Sequence, residues 1–212
     1  MSRELDLSLY LVADVDVCGE RGLVETVRAA VAGGVTTVQL RDHGATTHEL
    51  LDAALALRDL LATSGVGLVV NDRLDVAMAA GADGVHLGQS DLPVEAAREI
   101  AGPEFVIGWS VTNFAEAKIA ADLPPGTVDY LGVGPIYSTQ TKLDAAAPMG
   151  VEGLRAVCAI SSVPCVAIGG ITADRVAELV GVGAVGIAVV AAICSAADPR
   201  AAAAELRNQC GR

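Results

Sequence analysis

Short runs of β-branched and aliphatic residues alternate with alanine-rich stretches of helical period, eight times from one end of the chain to the other. That alternation is the pattern of βα units building a parallel sheet. Strands are predicted at residues 9–13, 37–40, 67–70, 84–87, 105–109, 130–133, 165–168 and 185–188, with helices between them. Within residues 47–63, Leu50, Leu51, Ala54, Leu57 and Leu61 fall on one stripe, the i, i+3, i+4, i+7 spacing of an amphipathic helix. Glycine precedes several strands, at Gly33-Gly34, Gly65, Gly81 and Gly183, where a left-handed helix cap costs it little. No low-complexity or charge-block segment separates the units. The expectation is therefore an α/β fold with a single domain over residues 1–212, a (β/α)8 TIM barrel near the short end of that architecture's length range.

The strands do not end in apolar residues. The second runs into Gln39-Leu40-Arg41-Asp42-His43, the third into Asn71-Asp72, and the fourth into His86-Leu87-Gly88-Gln89-Ser90-Asp91. Ser110 follows the fifth, the sixth leads into 134–142, and the seventh into Gly169-Gly170. In a barrel all these C-terminal ends gather at one mouth, where enzymes of this architecture carry their active sites. The irregular stretch 135–150 is a candidate active-site loop.

Composition narrows the chemistry. The chain is 52% hydrophobic but only 3% aromatic, so its core must be built mainly from Ala, Val, Leu and Ile, which suits strands buried on both faces. A net charge of −12 with no cluster of Lys and Arg argues against nucleic acid as a partner. No stretch is apolar and long enough to be read as a membrane span, and the acid-interrupted N-terminus does not read as a signal peptide. The five cysteines form an odd count with no Cys-x-x-Cys pair, so neither a disulfide framework nor a zinc site is expected, and a cytoplasmic location is. Polyanionic substrates would require so acidic a chain to concentrate positive charge locally.

Asp72 and Asp91, at neighbouring strand ends, are the natural metal pair, because Mg2+ is commonly held by one or two carboxylates, substrate phosphate oxygens and water. A lone Asp at either place would read as a helix cap or turn residue. Arg41 and Lys142 are candidates for phosphate contacts, a planar fork of donors and a compact charge respectively. The glycine pair after the seventh strand and the passage from Gly186 to Ala191 can converge backbone N–H groups on a phosphate.

The chain resembles the thiamine phosphate synthase family over almost its whole length. The motifs that carry the resemblance are Val38-Gln39-Leu40-Arg41, Val70-Asn71-Asp72, the run from Gly81 to Asp91, the run from Gly134 to Lys142, and Ile168-Gly169-Gly170-Ile171. It implies that the run Gln39, Leu40, Arg41, Asp42, His43, together with Asn71, Ser110 and Lys142, holds a pyrimidine diphosphate, with one Mg2+ on Asp72 and Asp91. It also implies that Thr139, Gln140, Thr141, Gly170, Val190 and Ala191 hold a thiazole phosphate. The implied chemistry is a dissociative substitution in which pyrophosphate leaves the pyrimidine methylene and the thiazole nitrogen captures the cation. Arg41, Lys142 and Ser110 are the implied catalytic residues, and the only implied partners are these small phosphorylated molecules; the oligomeric state is left open.

Two positions depart from the family pattern. His43 stands where a Lys is usual, so its charge depends on its surroundings, and a nearby diphosphate favours its protonated form. Ala191 stands where a Ser is usual, which removes one hydroxyl donor to the thiazole phosphate at a cost of about 1 kcal/mol. Two other functions compete. A thiazole tautomerase of the same fold would be expected to carry a proton-shuttling histidine at position 112, where this chain has Thr112. A non-catalytic sensor of phosphorylated ligands would need fewer metal and diphosphate residues.

Overall fold

The computed structural model describes residues 5–139 and 146–210. Eight parallel strands close into a barrel in sequence order, with β1 hydrogen-bonded to both β2 and β8. They are β1 (Leu9–Asp14), β2 (Thr37–Arg41), β3 (Gly67–Asn71), β4 (Gly84–Leu87), β5 (Val106–Val111), β6 (Tyr130–Val133), β7 (Cys165–Ile168) and β8 (Gly186–Val189). The helices α1 (Leu23–Ala32), α2 (Thr47–Leu61), α3 (Leu74–Ala80), α4 (Val94–Ala101), α5 (Phe114–Asp122), α6 (Gly150–Ile160), α7 (Val176–Leu179) and α8 (Pro199–Cys210) surround it, with further one-turn pieces at Val15–Cys18 and Ala191–Cys194. No helix among the described residues is long and apolar enough to cross a membrane.

Local chemistry accounts for the element boundaries. α2 begins at a capping box in which the Thr46 hydroxyl accepts from the Glu49 N–H while the Glu49 carboxylate accepts from the Thr46 N–H. Its buried face is Leu50, Ala54, Leu57 and Leu61, with Leu51 partly buried beside them. α3 ends at Gly81, in the left-handed conformation expected of a glycine cap.

The two-residue period of the strands sorts the core into two layers. Outward residues such as Leu9, Leu11, Val38, Leu40, Val70, Val85 and Leu131 pack with the helices in the larger cluster. Inward residues Tyr10, Val12, Val69, Val106, Tyr130, Val166 and Ala188 form the second, inside the barrel. Glycines on the inner face make room for the bulky ones. A Cβ on Gly108 would run into the Tyr130 phenol, and one on Gly132 would lie 2.9 Å from the His86 ring.

Candidate active site

The C-terminal mouth of the barrel opens into a cavity of about 970 Å³. The pleat decides which residues of the expected set reach it. Gln39 and Arg41 on β2 point inward, as do Asn71 on β3 and Ser110 on β5, and all four line the cavity together with His43, Asp72, Asp91, Thr139, Gly170, Val190 and Ala191. Leu40 and Asp42 do not join them. Leu40 is fully buried against the helices, and the Asp42 carboxylate accepts the N–H groups of Gly44 and Ala45 in a turn. Gln140, Thr141 and Lys142 lie outside the described residues.

Arg41 is held from below. Its guanidinium donates to Asp14 at the end of β1, one strand over in register, and both side chains are nearly buried, at 13% and 10% exposure. The other Asp14 oxygen accepts the Val17 N–H at 3.1 Å, so the carboxylate is fixed at both ends. A guanidinium anchored on one edge presents its remaining donors in a set direction.

Asp72 is the one non-glycine residue with positive φ among the described residues, at 62°. Its N–H donates to the His86 carbonyl at 2.8 Å, which ties the end of β3 to β4. Such a conformation costs an Asp on the order of 1 kcal/mol and persists only where surrounding contacts enforce it. His43 stands over this carboxylate, with Nδ1 3.9 Å from Oδ2. Asp91 is set by its own turn, its Oδ2 accepting the Gly88 N–H at 2.6 Å. Two carboxylates at adjacent strand ends, facing one cavity, suit a Mg2+ that takes its other ligands from phosphate and water.

The opposite side of the mouth is built from backbone. Gly169 and Gly170 follow β7 with φ of 100° and 64°, and the β6 loop lies so close that a Cβ on Gly170 would sit 2.5 Å from the Ser138 carbonyl. Hydrogen bonds from Ile136 N–H to the Ile168 carbonyl and from Tyr137 N–H to the Gly169 carbonyl bind the two loops together. Arg175 crosses this region, donating to the Gly170 carbonyl at 3.1 Å and stacking over the Tyr137 ring at 4.5 Å. The Tyr137 hydroxyl donates to Glu178; burial and that carboxylate together push its pKa up to about 12.

The family model for thiamine monophosphate synthase matches residues 9–193. The chain belongs to that family. Its relatives include thiamine-phosphate synthases from Albidiferax ferrireducens, 54% identical over 95% of this chain and 91% of the relative, and from Azorhizobium caulinodans, 50% identical over 98% and 97%. Among solved structures it is similar to a thiamine phosphate pyrophosphorylase from Pyrococcus furiosus, with 40% identity, a TM-score of 0.88, and coverage of 97% of this chain and 96% of that one. An orotidine 5'-phosphate decarboxylase from Pyrococcus horikoshii, 16% identical with a TM-score of 0.67, shares the fold alone.

Against the family's expected site, the cavity of this synthase-family chain contains residues the sequence reading passed over. Tyr10, His86, Tyr130 and Arg175 all line it. His86 opens the polar run of the fourth strand but lies within a strand that otherwise reads as apolar. It is hydrogen-bonded, but it also faces the cavity, between Tyr130 and Ser110. The available signal was parity, since His86 sits two residues after the inward Gly84, opposite the inward Gly108. Asp14, at the end of β1, reaches the site only through Arg41, a partner 27 residues away that nothing local marks. Thr112, which separates the synthase from the tautomerase reading, lines the mouth and donates its hydroxyl proton to Glu116.

Proposed function

We infer that this protein is a thiamine-phosphate synthase, a transferase of thiamine biosynthesis that releases diphosphate, carried by a single catalytic barrel. The observation that carries the finer reading is the convergence of Gln39, Arg41, Asn71, Asp72, Asp91, Ser110 and Gly170 on one cavity from five different strand ends. The substrates are 4-amino-2-methyl-5-(diphosphooxymethyl)pyrimidine and hydroxyethylthiazole phosphate. Gln39, Asn71 and Ser110 orient the pyrimidine, while Arg41, His43 and Lys142 draw its diphosphate towards β2 and β3. Thr139, Gln140, Thr141, the Gly170 backbone and the backbone at Val190 and Ala191 take the thiazole phosphate.

No protein nucleophile is needed, because the bond to pyrophosphate breaks first and the thiazole nitrogen then attacks the methylene cation. Asp72 and Asp91 would hold one Mg2+, which supplies positive charge against the leaving diphosphate. Arg41, preset by Asp14, adds charge to the same oxygens without having to reorganise during the step, which is where electrostatic catalysis is most effective. Binding both substrates side by side in one cavity would keep the thiazole nitrogen in line with the pyrimidine methylene.

The test is a coupled assay of purified protein with both phosphorylated substrates, with and without Mg2+, following pyrophosphate and thiamine phosphate together. Equal, metal-dependent release of both products is expected. Absence of thiamine phosphate under any divalent metal, with isomerisation of the thiazole instead, would place the chain among tautomerases.

A further inference from the structure

Five side chains that line the cavity form an unbroken line of hydrogen bonds across the inside of the barrel. Gln39 Nε2 donates to the Tyr10 hydroxyl at 2.9 Å, and the Tyr10 and Tyr130 hydroxyls are 2.8 Å apart. The Tyr130 hydroxyl then meets His86 Nδ1 at 3.1 Å, and His86 Nε2 meets the Ser110 hydroxyl at 2.9 Å. The line runs from β2 through β1, β6 and β4 to β5, and its two ends are the residues assigned above to the pyrimidine ring. Tyr10 and Tyr130 are 2% and 1% exposed. Burial raises both phenols well above their usual pKa, so each keeps its single proton.

One proton per hydroxyl gives the line a direction. With the Gln39 amide donating to Tyr10, the Tyr10 proton passes to Tyr130 and the Tyr130 proton to His86 Nδ1. That fixes the imidazole as the Nε2–H tautomer, which donates to Ser110 and turns the Ser110 proton to the cavity. At the other end the Gln39 carbonyl oxygen is left as the acceptor. One end therefore offers an acceptor while the other offers a donor.

We propose that the buried Tyr10–Tyr130–His86 line is a specificity device that locks Gln39 and Ser110 into opposite hydrogen-bonding polarity, so that the pair reads a 4-aminopyrimidine. This rests on the assignment of the pyrimidine to Gln39 and Ser110. An aminopyrimidine brings an exocyclic amine that donates and ring nitrogens that accept. A 4-oxopyrimidine exchanges that pattern at C4 and N3. It can be met in full only if the amide, both phenols, the imidazole tautomer and the serine hydroxyl all reverse together. Tyr10 and Tyr130 are thus positioning residues, acting on the substrate through Gln39 and His86. The inner-face glycines serve the same end, since Gly108 and Gly132 leave the space in which Tyr130 and His86 meet.

Tyr130→Phe and Tyr10→Phe each cut the line while keeping the ring that fills the barrel. The experiment measures, by calorimetry in Mg2+, the affinity of the parent and both variants for the 4-amino pyrimidine diphosphate, its 4-oxo analogue and inorganic pyrophosphate. With the ends uncoupled, preference for amino over oxo is expected to fall about tenfold, the worth of one well-placed hydrogen bond. Pyrophosphate affinity should stay unchanged, because the diphosphate contacts are not part of the line. A merely structural role would weaken both pyrimidines alike and leave their ratio intact, and an intact ratio in both variants overturns the proposal. Each tyrosine tests a different link, so failure of one variant to fold leaves the other decisive. Failure of the parent to bind any pyrimidine diphosphate, while binding pyrophosphate, would instead overturn the assignment of the ring, and this proposal with it.

Discussion

Replacing Asp14 by Asn removes one charge beneath the mouth while leaving the shape of the side chain. In the parent, one carboxylate oxygen caps the Val17 N–H and the other holds the Arg41 guanidinium. An amide can keep the cap through its oxygen, but its NH2 then faces the guanidinium, donor against donor. Breaking a well-buried ion pair costs about 3–5 kcal/mol. Here both partners retain some contact with solvent, at 13% and 10% exposure, so about 2–3 kcal/mol is the better expectation. For a chain of this size that corresponds to a fall in Tm of roughly 4–12 °C. The loss should be partly recovered by pyrophosphate, because a ligand that binds only the folded state adds RT ln(1 + [L]/Kd), about 2.7 kcal/mol at a hundredfold excess over Kd. It should be recovered more in the variant than in the parent, since the unpaired Arg41 gains more from an anion. Urea unfolding of both proteins, with and without pyrophosphate, reads all of this directly. A variant as stable as the parent, or one that gains no more from pyrophosphate, would refute the claim that Asp14 holds and partly neutralises Arg41.

Gly170→Ala places a Cβ at a φ of 64° and 2.5 Å from the Ser138 carbonyl, so a loss of about 2–4 kcal/mol in stability is expected, with a raised KM for the thiazole phosphate and an unchanged KM for the pyrimidine diphosphate. Steady-state kinetics with each substrate varied in turn would check that split. Gly108→Ala drives a methyl into the Tyr130 ring and should cost about 1–3 kcal/mol by overpacking while weakening the pyrimidine and not pyrophosphate; thermal unfolding and calorimetry test it. His43→Lys puts a permanent charge beside Asp72 and should tighten pyrophosphate binding, read by calorimetry in Mg2+. An unchanged pyrophosphate affinity in that variant would show that His43 does not meet the diphosphate.

Strand positions were legible because a barrel strand must be apolar on both faces over four or five residues and must then stop. β4, β6 and β7 fall on the predicted bounds, and β8 is displaced by one residue. β1 and β5 run one and two residues further than expected because Asp14, Ser110 and Val111 still pair with their neighbours, and polarity alone does not end a strand at a mouth. The candidate site was legible as a set of strand ends but not as a set of side chains. The run 39–43 reads as one motif, yet the pleat sends Gln39 and Arg41 inward and Leu40 outward. Asp14 and the tyrosines were illegible for a different reason. Their roles depend on partners 27, 29 and 120 residues away, brought together by register around the closed barrel, and nothing local marks them.

Charge at the mouth makes the metal more than an accessory. Asp72, Asp91, Glu116 and Asp174 line the cavity against Arg41, Arg175 and His43, and Arg41 is already shared with Asp14. A diphosphate therefore approaches described walls that are no better than neutral. Near a protein surface, each carboxylate about 5 Å from a phosphate charge repels it by about 3 kcal/mol. Without a divalent ion, Asp91 should oppose pyrophosphate, and with one it should help to hold it. Asp91→Asn is accordingly expected to tighten pyrophosphate binding in chelator and to weaken it in Mg2+, a reversal of sign within a single variant. The Gly88 N–H can still be met by the amide oxygen, so the turn that carries the residue is preserved. Calorimetry of pyrophosphate binding in the two conditions measures both signs. If the substitution weakens binding equally in both, Asp91 is supporting the local structure and the metal must be held elsewhere.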